Sequence, residues 1–67
     1  MTKLARKRKK LRLTQTAIAN LFGISQQAYA MRERRGIRNV DMAFRYALRL
    51  GCRPEEILEI PRVAGKQ

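Results

Sequence analysis

The chain has 67 residues, with sixteen Lys or Arg against five Asp or Glu, a formal net charge of +11, one cysteine and no histidine. That length allows one domain at most, built around a small core with no disulfide, because Cys52 has no partner within the chain. With no histidine, no carboxylate pair in an apolar setting, no bilayer-spanning apolar run and no signal peptide, the expected molecule is soluble and cytoplasmic, not an enzyme, without metal, cofactor or small-molecule ligand.

Five short helical segments and no strand are expected, an all-α fold. The first runs from about Thr2 to Arg12, with Thr2 as N-cap and Leu4 and Leu11 on one face. It carries Lys3, Arg6, Lys7, Arg8, Lys9, Lys10 and Arg12, and no acid occurs before Glu33. Positive charge so clustered favours a polyanionic partner. Thr14 caps the second segment, whose apolar stripe is Ile18, Leu21 and Phe22 and whose stop is Gly23. Ser25 caps the third, from Gln26 to about Arg34. A helix, a glycine, an apolar residue and a second capped helix have the length of a helix-turn-helix unit. Gly36 breaks the third segment. Asn39 or Asp41 caps the fourth, with Val40, Phe44, Ala47 and Leu48 as its inward stripe and Gly51 as its end. Pro54 followed by Glu55 and Glu56 opens a short fifth helix that stops before Pro61. Residues 1–60 then form the domain, and 61–67 a flexible C-terminal tail.

The third segment carries the function. With Ile24, Ala28 and Met31 inward, Gln26, Gln27, Ala30 and Arg34 share the outward face. A glutamine amide pairs bidentately with adenine in the major groove, and helix-turn-helix proteins read bases from the start of their second helix. Arg8 lies on the Leu4–Leu11 stripe and so requires a carboxylate; the expected partner is Glu33, in a structural ion pair that ties the first helix to the reading helix. Lys7, Lys10 and Arg12 are expected near the start of the second helix, where one or two of them contact phosphates without reading sequence. Ile57 and Leu58 suit the core. Ile60 and Val63, flanking Pro61, are the expected dimer contact.

The run Leu11-Arg12-Leu13-Thr14-Gln15-Thr16-Ala17-Ile18-Ala19, then Phe22-Gly23-Ile24-Ser25-Gln26-Gln27, resembles the DNA-binding domains of the lambdoid phage Cro and repressor proteins. The likeness extends through Gly51-Cys52-Arg53-Pro54 and covers Leu4 to about Leu58. It implies a five-helix, lambda-repressor-like domain that regulates transcription as a repressor, binding a near-palindromic operator as a homodimer, at least on double-stranded DNA. By position it implies that Gln15 contacts a phosphate, that Gln26 and Gln27 read bases, that Arg8 and Glu33 form the family's buried pair, and that Arg38 approaches the backbone beside the minor groove. Arg34 joins the phosphate-contacting set. Three positions depart from the pattern. Arg32 stands where an apolar residue is usual. Ala30 replaces a longer polar side chain, which implies either fewer direct contacts or an apolar touch on a thymine methyl. Gly36 comes one place late. A protein-binding module such as an antitoxin that autoregulates its operon fits the same residues. A membrane-active peptide does not, because Gly23, Gly36, Gly51 and Pro54 divide the chain into short pieces. Neither does an RNA binder, whose exposed aromatics are missing from the expected surface.

Overall fold

A computed structural model describes residues 1–59 of the chain. The expected tail and the dimer residues Ile60 and Val63 lie outside the described residues. Four α-helices follow one another: α1 (Lys3–Lys10), α2 (Gln15–Phe22), α3 (Gln26–Arg35) and α4 (Val40–Leu50). A 3₁₀ turn, Pro54–Glu56, takes the place of the expected fifth α-helix. No strand forms among the described residues; the one extended contact is an isolated parallel bridge between Ile37 and Leu58.

Each helix starts where a short polar side chain satisfies an orphan backbone donor. Thr2, Thr14, Ser25 and Asn39 accept from the amides of Ala5, Ala17, Ala28 and Met42. Each such cap contributes about 1 kcal/mol. Asn39, rather than Asp41, caps α4, and Asp41 lies in its first turn, where a negative charge complements the helix dipole. The first helix is shorter than its periodicity suggests. Arg12 adopts the left-handed conformation at φ 60°, and the Leu13 amide folds back to the Arg8 carbonyl at 3.2 Å. Leu11 is therefore left at the surface, and Leu4, with the neighbouring Ala5, anchors α1 in the core.

Leu4, Ile18, Tyr29, Ile37 and Ile57 are the large side chains that lose all contact with solvent. Burying each contributes roughly 1.5–3 kcal/mol. Phe22 stacks between Tyr29 and Tyr46, with ring centroids 6.2 and 4.0 Å away, and so joins α2 to both α3 and α4. Two expected inward faces are corrected. On α4 the core is met by Ala43 and Ala47, while Val40, Phe44 and Leu48 point outward. Two apolar rows share this helix, and the small alanines let it approach the bundle closely. On α3 the inward residues are Tyr29 and Glu33, whereas Ala28 and Met31 are exposed. Tyr29 brings more apolar area than either, and its ring packs against Phe22 of α2 while its hydroxyl reaches Glu33.

Gly36 ends α3 at φ 84° and ψ 164°, a region essentially restricted to glycine. A Cβ there would lie 2.6 Å from Cγ of Glu59, the residue whose amide bonds the Ile37 carbonyl. Gly36→Ala is expected to destabilise the domain by about 1–3 kcal/mol, read as a lower urea midpoint at unchanged slope.

Candidate nucleic-acid interface

The turn between α2 and α3 is set by Gly23. At φ 69° it lets its own amide and that of Ile24 reach back to the carbonyls of Asn20 and Ala19, at 3.1 and 3.0 Å. This closes α2 and redirects the chain within two residues, so that Ser25 caps α3 at once. The result is a helix-turn-helix with the N-terminus of α3 exposed.

On α3, Gln27, Met31 and Arg34 form the outward face. Met31 is 54% exposed, and it occupies the centre of the face where an inward side chain was expected. Gln26 is exposed on one flank of this face. Ala30 is half-buried and lines a groove with Gln15, Glu33 and Arg34, turned toward α1 rather than outward. The outward face is thus rotated by part of a turn from the expected set of Gln26, Gln27, Ala30 and Arg34. The cause is Tyr29, whose burial fixes the roll of the helix.

Behind this face lies a connected polar network. Arg8 Nε donates to Glu33 Oε2 at 2.5 Å, and Arg8 Nη1 donates to the Leu13 carbonyl at 2.8 Å. Tyr29 Oη donates to the same carboxylate at 2.8 Å, and Gln15 Nε2 to Glu33 Oε1 at 2.9 Å. Gln15 Oε1 in turn accepts from Gln26 Nε2 at 2.8 Å. One buried carboxylate therefore connects α1, α2 and α3 and, through Gln15, holds the amide of Gln26. Burial alone would raise the carboxyl pKa of Glu33. The hydrogen bonds from Arg8, Gln15 and Tyr29 together outweigh it and hold the group ionised below its ordinary value. Tyr29 shifts the other way: burial, then the bond to Glu33, keep its phenol protonated.

The residues expected to contact phosphates are spread over several parts of the molecule. Gln15 opens α2, and Arg34 extends the outward face of α3. Arg38 joins Arg32, Arg35 and Asn39 around a concavity between the end of α3 and the start of α4. Lys7 and Lys10, expected beside the start of α2, instead lie on the side of α1 that faces the 3₁₀ turn, sharing a cleft with Lys3, Arg6 and Glu56. Lys7 Nζ contacts Glu56 Oε1 at 2.5 Å. The reason is helical spacing: Arg8 must turn inward to reach Glu33, which rotates Lys7 and Lys10 away from α2. Arg12, in the loop between α1 and α2, is exposed. Arg32 is half-buried, with its aliphatic stem between α3 and α4 and its Nε unpartnered.

Two features escape a reading of the sequence alone. One is the bridge from Glu33 through Gln15 to Gln26, because an exposed-looking glutamine carries no signal of the carboxylate behind it. The other is Met31, whose apolar character pointed inward. Among the described residues no cluster of His, Cys, Asp and Glu could hold a metal ion, and no helix is long and apolar enough to cross a membrane.

The family model described as Helix-turn-helix matches residues 4–57, from the core anchor of α1 to the buried Ile57 after the 3₁₀ turn. No curated protein and no solved structure matches the chain. A capped helix, a glycine turn, a second helix with an exposed polar face and a family match over most of the chain converge on one assignment. The chain belongs to the XRE-type helix-turn-helix family and is a DNA-binding transcriptional regulator.

Proposed function

We propose that the chain is a Cro-like repressor that binds a near-palindromic operator as a two-fold pair, each copy laying α3 in the major groove of one half-site. The observation that carries this reading is the outward face of α3: Gln27, Met31 and Arg34 exposed together, with Gln26 held by Gln15 at its edge. Gln27 offers a free amide for an adenine edge, Arg34 a guanidinium for a guanine or a phosphate, and Met31 an adaptable apolar contact for a thymine methyl. Gln26 is pre-oriented, so it loses little freedom on contacting a base. Gln15, at the first position of α2, faces the phosphate strand where the helix dipole favours anions. Arg12, before α2, and Arg38, after α3, supply sequence-independent contacts.

Selection from a random duplex library tests this reading. The expected winner is near-palindromic, with half-sites about one helical turn apart, and is bound at least about a thousandfold more tightly than scrambled DNA. Equal affinity for all sequences, varying only with salt, would remove the repressor reading and leave a charge-driven binder.

A further inference from the structure

Val40, Phe44 and Leu48 recur at four-residue spacing along α4 and stand 47%, 58% and 84% exposed. Single apolar residues on a surface need no explanation, whereas a continuous row along one helix does. We propose that this row is where a second copy of the chain docks, α4 against α4 and antiparallel, with the two-fold axis beside Phe44. The inference rests on the paired binding proposed above and names the surface that such pairing uses.

The row is self-complementary, as a two-fold contact requires: residue i meets j while j meets i. Antiparallel packing centred on Phe44 sets the two Phe44 rings together and places Val40 opposite Leu48 of the second copy at each end. A smaller side chain thus meets a larger one twice.

Charge favours the same partner and register. Asp41 and Arg45 flank the row on one side of α4, and neither forms an ion pair among the described residues. In an antiparallel two-fold pair the matching flanks adjoin. Asp41 then lies about two residues, roughly 3 Å along the axis, from Arg45 of the second copy. Symmetry makes this contact twice. A chain of net charge +11 repels its own copy over most of its surface, so a strip that carries an acid beside a matching cation is where two copies approach most readily.

The area sets the strength. The exposed parts of the three side chains amount to on the order of 300 Å² per copy. With its polar rim, the pair buries about 1,000 Å², in the class of weak, reversible contacts rather than obligate dimers. Such a contact becomes effective when adjacent half-sites hold two copies close together.

Sedimentation equilibrium of the whole chain, over roughly 10 μM to 1 mM, tests the surface. Wild type is expected to self-associate reversibly. Leu48→Glu is expected to remain monomeric throughout, with an unchanged far-UV spectrum because Leu48 lies outside the core. Asp41→Arg and Arg45→Asp are each expected to weaken association at least about tenfold, and the double variant D41R/R45D to restore it. If wild type associates while Leu48→Glu and the charge exchange leave association unchanged, the α4 surface is wrong and the paired reading stands on another surface. If wild type is monomeric both free and on the selected palindromic duplex, the paired reading falls and this inference with it.

Discussion

Replacing Glu33 with alanine is expected to destabilise the domain by about 3–5 kcal/mol, the cost of leaving a buried cation unpaired. A chain of this length has a total stability on the order of 3–10 kcal/mol, so the variant loses a large share of it and should unfold at a markedly lower urea concentration. The size of the effect follows from the geometry. The side chains of Arg8 and Glu33 are 13% and 9% exposed, and the carboxylate also accepts from Tyr29 and Gln15. Its removal orphans three donors on three helices. A double replacement of Arg8 and Glu33 by apolar residues of similar volume should recover much of the loss, because no unpaired charge then remains. Urea unfolding of the single and double variants checks both statements.

The same pair sets a pH dependence whose sign is determined. The Glu33 carboxyl is depressed below 4.5 in the folded protein, so its contribution is fully present above 4.5 and is lost as pH falls through the depressed value. Acid titration of wild type should show falling stability over that window. A Glu33→Gln variant, less stable at neutral pH, should show a flatter curve there. Equal slopes for the two would mean that the carboxylate is not the group that titrates.

The second large effect is on recognition. Gln27→Ala is expected to lower affinity for the selected operator by about 10–100-fold, while affinity for scrambled DNA and the slope of binding against salt stay unchanged. Gln27 makes no side-chain hydrogen bond among the described residues and is exposed, so its removal leaves the fold intact. Arg38→Ala should behave in the opposite way, weakening all duplexes alike and reducing the salt slope by about one. Gel-shift titrations at several salt concentrations separate the two classes. Gln26→Ala should do more than remove one base contact. It frees Gln15, whose amide then bonds Glu33 alone, so in the binding mode proposed above the loss of a base contact is coupled to a looser phosphate contact at the start of α2.

Much of this architecture is local in origin and therefore legible from the chain itself. Thr14, Gly23 and Ser25 determine where α2 stops and α3 starts, because capping and left-handed turns depend on a few adjacent residues. The absence of acids before Glu33 and the excess of cations determine the class of partner, since long-range charge needs no coordinates. An arginine on an apolar stripe demands a carboxylate for the same elementary reason.

What only the tertiary structure decided is the roll of each helix about its axis. Periodicity marks which residues share a face but not which of two faces turns inward. On α3 the choice fell to Tyr29, which brought Met31 out and turned Ala30 aside. On α4 it fell to Ala43 and Ala47, which left Val40, Phe44 and Leu48 exposed. On α1 the inward turn of Arg8 carried Lys7 and Lys10 to the side of the 3₁₀ turn. In each case the outcome depends on how volumes and one buried charge are shared among helices distant in sequence. Local spacing carries no information about that packing.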